Sequence, residues 1–200
     1  MITGKTAVLI FTTLSDEALK NSDNSDIGKL FRKGSAVPLK AENDLRTEAL
    51  AGSTMGESIV ETAKAAGYKT DELGSDTDLY VTEAETEEQL ASILSVAYTV
   101  GVSNTLIILA SPTLAIFYGL GIQRKVQLKE PLNATCIAPT ISWIADIPYP
   151  ADVEAAPAYP VLKGLNFKAG EMAKLKKSLD ALTLNIERGN LKPWDKHDCA

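Results

Sequence analysis

Two clusters of hydroxyl and carboxylate side chains stand where this chain could do chemistry. Thr12-Thr13-Leu14-Ser15-Asp16 closes one strongly apolar run, and Ser111-Pro112-Thr113 closes another. A hydroxyl at the carboxyl end of a buried strand faces the crevice where open α/β sheets bind ligands. A helix opening at Ser15 would turn N–H groups toward the same crevice, which suits an anion. The spacing therefore predicts a binding site for a phosphate, sulfate or carboxylate made by Thr12, Thr13, Ser15, Asp16, Ser111 and Thr113. Asp16 would repel such an anion unless a cation intervened. Thr12 and Thr13 are the candidate nucleophiles. A plainer account makes Ser15 an N-cap and Ser111-Pro112 the start of a helix with Pro at its first position.

Other constellations have simpler readings. Ser53-Thr54 precedes Glu57 in the capping-box pattern, so capping explains both hydroxyls. Gly119-Leu120-Gly121 is a lone G-x-G, a weak phosphate or dinucleotide signal that does not meet the full fingerprint. A turn ending a preceding helix is expected there. The acidic set Asp71, Glu72, Asp76 and Asp78, with Glu83, Glu85, Glu87 and Glu88 beyond, offers hard oxygen ligands for calcium or magnesium. Its spacing does not fit an EF-hand loop, and a solvated acidic face is expected. Lys168, Lys174, Lys176 and Lys177 line one face of a late helix, read as solvated. His197 and Cys199 could make a metal-binding or reactive thiol site, against the alternative of incidental residues in a frayed terminus.

The composition narrows the classes. The chain has 200 residues, 45% hydrophobic and 23% charged, with two cysteines, one histidine and a net charge of −6. This is globular composition, and the length is that of one domain. Two cysteines exclude a disulfide scaffold and a Cys-rich zinc module. A single histidine argues against a multi-histidine metal site. The negative balance argues against nucleic acid as a partner, since phosphate contact needs clustered Lys and Arg. The apolar run Ala7 to Phe11 is too short for a signal peptide, and no stretch approaches a membrane span. The expected compartment is the cytoplasm, with both thiols reduced.

These residues need elements to position them. Lys5 to Thr12 and Thr105 to Ala110 read as strands buried on both faces, as in parallel sheets. Leu79 to Thr82 and Tyr68 to Leu73 are further strands, and Ile122 to Lys129 is an edge strand whose charges discourage pairing between sheets. Short helices are expected after Ser15, over Ile27 to Arg32 and over Asp44 to Ala51, with irregular chain from Gly34 to Asn43 around Pro38. A helix capped by Thr54 and Glu57 buries Ile59, Val60, Ala63 and Ala66 and ends at Gly67. A second box, Thr86 with Gln89, opens a helix carrying Leu90, Ile93, Leu94, Ala97 and Tyr98 inward and ending at Gly101. The run from Ser111 to Tyr118 reads as helical. Cys136 to Ala145 is a helix with Pro139 in its first turn, stopped by Pro148 and Pro150. Phe167 to Glu187 is a final amphipathic helix. The alternation predicts an α/β fold: a three-layer αβα sandwich on a mainly parallel sheet of about four to six strands. Residues 1–165 form the domain, and 166–200 form a helix and tail that pack on it or on a partner.

Two segments resemble the alkaline phosphatase superfamily, which includes sulfatases, phosphopentomutases and nucleotide pyrophosphatases. One is Cys136-Ile137-Ala138-Pro139-Thr140-Ile141 with Ile144-Ala145-Asp146-Ile147-Pro148-Tyr149-Pro150, similar to a late "D-I-A-P-T-I … G-I-P-x-P" segment. The other runs from Glu57 through Ala63-Lys64-Ala65-Ala66-Gly67-Tyr68-Lys69-Thr70, similar to an "E-x-A-K-x-A-G-Y-K-T" helix-to-strand passage. The order of segments agrees over about two thirds of the chain. The resemblance implies an alkaline phosphatase-like core and an active site of two metals, usually zinc, held by Asp and His, with a Ser, Thr or Cys nucleophile at a helix N-terminus. Two such cations neutralise the attacking and leaving oxygens of an in-line displacement.

The chain departs from that pattern where the chemistry would be. The opening strand ends Phe11-Thr12-Thr13-Leu14, with no Asp at the position of a metal ligand. The "S-D-H-G" position reads Ala110-Ser111-Pro112-Thr113. The insertion that covers the substrate in the family is also missing. The expectation is a non-catalytic, metal-free, cofactor-free domain that binds a small anionic ligand or a protein partner near Thr12, Thr13, Ser111 and Thr113. Two alternatives stand beside it. One is an active phosphate- or sulfate-ester hydrolase or transferase using a carboxylate-bound magnesium ion. The other is a structural subunit forming a homodimer through the helix Phe167 to Glu187.

Overall fold

The computed structural model describes residues 4–101 and 103–164. The elements below belong to one unit of the chain, which ends at Lys163. The helix expected from Phe167 to Glu187, its lysine face, and the tail with His197 and Cys199 lie outside the described residues.

Strand β1 (Thr6–Thr12) is buried along its whole length, as is β4 (Thr105–Ala110). A strand so apolar needs cover on both faces, and parallel neighbours supply the setting. β1 pairs in parallel with β3 (Leu79–Ala84) on one side and with β4 on the other, with Thr12 opposite Ala84 and Phe11 opposite Ala110. β5 (Leu114–Gly119) turns back on β4, antiparallel, and β2 (Ser35–Lys40) lies antiparallel to β5. The short β6 (Leu132–Asn133) completes the edge beside β2, in parallel. The order is β3-β1-β4-β5-β2-β6, six strands of which β5 alone runs against the rest. The α/β class and mainly parallel sheet are thus as expected.

Alternate side chains of each strand face opposite layers. On one face Val8, Ile10, Ile107, Leu109 and Ile116 form a core with Leu19 of α1 (Asp16–Lys20), Ile27 and Leu30 of α2 (Ser25–Lys33), and Leu90, Leu94 and Ala97 of α5 (Glu87–Gly101). The opposite set Ala7, Leu9, Phe11, Leu106 and Ile108 is equally buried. There α6 (Ile137–Ala145) packs on β1 and β4, and α3 (Leu45–Ala51) packs on α6. α4 (Ile59–Ala65) packs on α3 and on β3.

Helix starts follow the expected chemistry in several places. Ser15 caps α1, and the Thr86–Gln89 box opens α5 with reciprocal 3.3 Å bonds. α4 ends in the expected Gly67 (φ +83), with Gly67 N–H donating to Lys64 and Tyr68 N–H to Ala63. That is the paired bonding of a Schellman end.

Five local expectations are corrected. The capping box of α4 is Ser58–Glu61, four residues later than Thr54–Glu57, because the chain before it passes through Gly56 at φ +139. Tyr68 to Leu73 is not a strand. The Lys69 amide donates to the Asp78 carboxylate, and the Lys69 carbonyl receives the amides of Asp78 and Leu79, so this segment's backbone is spent locally. Gly34 to Asn43 is not irregular throughout, since it contains β2. Pro38 is tolerated because Leu39 N–H donates to the carbonyl of Thr113, the residue just before β5. Bonding to one neighbour recurs every second residue, so Pro38's missing N–H falls on the other side. The run after Ser111 is a strand, not a helix, so Gly119-Leu120-Gly121 ends a strand. Ile122 to Lys129 forms no strand, apart from a single bridge from Ile122 to Leu162, and the edge is made by β6 instead.

Candidate functional site

The parallel register brings the carboxyl ends of β1, β3 and β4 to one edge, as Thr12, Ala84 and Ala110. The hydroxyl clusters of the sequence meet there, but in two separate groups with different occupations.

The first group is a closed polar link. The Ser111 hydroxyl donates to Asp16 Oδ1 at 3.1 Å, and the Thr113 hydroxyl donates to Asp16 Oδ2 at 3.0 Å. Ser111 also accepts the Leu114 amide, and its own amide donates to the Leu114 carbonyl, which closes the β4–β5 turn around Pro112. The carboxylate that was expected to repel an anion instead accepts from the two hydroxyls expected to bind one. Ser15 stands beside this group but is used as a cap, its hydroxyl accepting the Ala18 amide at 3.2 Å.

The second group lines a crevice of about 190 Å³ formed by Phe11, Thr12, Thr13, Asp44, Arg46, Glu83, Glu85 and Pro112, among others. Thr12 is buried and donates to the Ala84 carbonyl at 2.7 Å, while accepting the Leu14 amide. It ties β1 to β3 at their ends. Thr13 is exposed, and among the described residues its hydroxyl has no hydrogen-bond partner. The Arg46 guanidinium lies 5.3 Å from the Phe11 ring centre and is ion-paired to Glu83. Both members of that pair are about half exposed, at 47% and 55%, so the bridge is worth at most about 1 kcal/mol and exchanges readily. Asp44 caps α3 through the Thr47 amide, which, with a smaller contribution from the Thr47 hydroxyl, holds its carboxyl below the ordinary value.

Arg46 is a candidate binding residue that no sequence motif marks. It sits on a helix four elements away from β1, in a segment with no motif. Only the fold places it in the same crevice as Thr13, near the ring of Phe11. The ring of Phe11 orients it, and its fork of donors suits a carboxylate or phosphate.

The other candidates disperse. The Ser53 hydroxyl donates to the Met55 carbonyl, away from any helix start. Asp71 and Asp76 pair with Lys64 and Lys69, and Asp78 binds the Lys69 amide. Among the described residues, the two-metal centre implied by the resemblance finds no donor set. Among the described residues no three of His, Cys, Asp and Glu come together to hold a metal ion, and Asp16 already accepts from two hydroxyls. No helix of the described residues is long and apolar enough to cross a membrane.

No protein-family model matches the chain, and no curated protein matches it. Among solved structures, the fold is similar to that of a protein in the alkaline phosphatase superfamily from Vibrio parahaemolyticus. The two are 11% identical, with a TM-score of 0.46 over 74% of this chain and 67% of that one.

Proposed function

We propose that this chain is a non-catalytic domain of the alkaline phosphatase-like type that binds a small carboxylate- or phosphate-bearing ligand at the carboxyl edge of its sheet. Arg46 contacts the anionic group and Thr13 donates a hydrogen bond to it. The observation that carries the reading is how the edge hydroxyls are spent. Thr12 serves Ala84, while Ser111 and Thr113 serve Asp16. A nucleophile needs a base to take its proton and an electrophilic centre that stabilises the departing charge. These hydroxyls are instead bonded into the framework. Among the described residues Arg46 is the one cation lining the crevice, and an exposed bridge to Glu83 is a weak competitor for a ligand carboxylate.

The test is calorimetric titration of the whole chain with inorganic phosphate, sulfate and a short dicarboxylate. Saturable binding that is lost in Arg46→Ala supports the reading. No binding, or binding indifferent to Arg46, overturns it.

A second reading has its own support in Thr13, the candidate hydroxyl left without a partner among the described residues. It makes the chain an ester hydrolase or transferase. Aryl phosphates and sulfates with added magnesium or manganese are its assay. Turnover abolished in Thr13→Ala would establish it and displace the first.

A further inference from the structure

We propose that a second cavity, on the opposite edge of the sheet, binds a ligand carrying a diphosphate. Strand β5 creates this site by running against its neighbours. Its carboxyl end, Gly119, lies opposite Leu106 near the start of β4, and the next amide, Leu120, donates to the Thr105 carbonyl at 2.9 Å. The G-x-G turn is therefore delivered to the amino edge, away from Thr12 and Ala84. A cavity of about 410 Å³ opens there, walled by Gly119-Leu120-Gly121. That is within the size range of small-molecule sites.

Three cations line it: Lys33 from the end of α2, Arg124 from the turn after β5, and Lys163 from the segment whose Leu162 bridges Ile122. Among the described residues no carboxylate lines it, although the chain carries an excess of acid, with net charge −6. Among the described residues none of the three cations belongs to an ion pair. The strands bring together three like charges from distant parts of the chain, with no acidic partner among the described residues. Such a concavity concentrates positive potential and favours a compact polyanion. Tyr118 and Arg124 both line the cavity; burial pushes the Tyr118 phenol up, and the Arg124 charge opposes that in smaller measure.

Charge selects the ligand class. A phosphate monoester carries about −1.5 to −2 near neutral pH. One phosphate leaves a cation unmatched, whereas a linked pair satisfies all three. Arg124 contributes bidentate recognition of phosphate oxygens, and the two lysines act as point charges.

The experiment is calorimetric titration of the full chain at low salt, without divalent metal, using inorganic pyrophosphate and separately a nucleoside diphosphate. Saturable binding is expected, weakening as salt rises. On an Arg46→Ala background, which takes the carboxyl-edge site out of the titration, Arg124→Gln and Lys163→Gln should each reduce affinity by about tenfold, as expected for loss of a charged hydrogen bond. All three residues are exposed, so the thermal melt of each variant should match the parent, with Lys33→Gln in reserve. Tighter binding of the nucleotide assigns the rest of the cavity to the nucleoside, and equal binding assigns the site to the diphosphate alone. Absence of binding, or binding that survives Arg124→Gln with Lys163→Gln, overturns the proposal. So does binding lost in Arg46→Ala, which would place the anion at the carboxyl edge.

Discussion

The hydroxyl of Ser111 donates to the carboxylate of Asp16 across 95 residues of chain, and so joins the β4–β5 turn to the first turn of α1. Thr113 doubles the link on the other carboxylate oxygen. Asp16→Ala removes both bonds. For a partly exposed charged acceptor the cost should be about 1 kcal/mol. A urea unfolding curve checks it, and an unchanged midpoint with an unchanged slope would show that the link is not needed.

Glu48 is wholly buried, and its carboxylate accepts the amides of Glu42 and Asn43, the latter at 2.7 Å. Glu42 and Asn43 are themselves exposed, so water takes over part of the bonding once the acceptor is gone. Glu48→Ala should cost about 1–2 kcal/mol through the lost charged hydrogen bonds. The Asp44 to Ala51 region should then exchange its amide hydrogens faster than the rest of the sheet. Uniform exchange would contradict a local role.

Burial pushes the Cys136 thiol from 9.0 up to about 12. A thiol held protonated in the fold stabilises it fully below about pH 9, and that contribution is lost as the pH climbs toward 12. On a Cys199→Ser background, Cys136 should resist alkylation at pH 8 until the chain is unfolded, because the thiolate is the reactive form. Fast labelling of the folded chain would refute this.

Gly34 sits where α2 turns into β2. A Cβ there would meet the Leu30 carbonyl oxygen at 2.6 Å and the Phe117 carbonyl oxygen at 3.0 Å. Neither is the end of a flexible side chain. Gly34→Ala should destabilise by about 1–3 kcal/mol through overpacking, read as a lower melting temperature. A melt equal to the parent's would show that the α2–β2 joint gives way without cost.

Where the local pattern has one physical meaning, the reading along the chain is reliable. β1 and β4 are continuous apolar runs of the length of strands. Ser15 and the Thr86–Gln89 box carry their own hydrogen-bond partners within one turn. Where the pattern has two meanings, neighbours decide. Leu114 to Tyr118 is apolar at every position, so periodicity does not separate a buried helix from a buried strand. It became a strand because the Ser111 turn folds it straight back onto β4. Two boxes of the same type compete at Thr54 and Ser58, and Gly56 settles the matter in favour of the second.

By itself, the sequence determined the α/β class, the central parallel pair and the identity of the edge hydroxyls, because burial and capping are local demands written in residue type. Only the tertiary structure decided what those hydroxyls do. Asp16, Ser111 and Thr113 are close because β1 and β4 are adjacent and end together, and their mutual hydrogen bonding turns three candidate ligand contacts into one structural link. Arg46 and Thr13 share one crevice, and Lys33, Arg124 and Lys163 share one cavity, for the same reason. Charge complementarity acts over a few ångströms in space, and neither spacing along the chain nor residue type reveals which charges the sheet order will bring together.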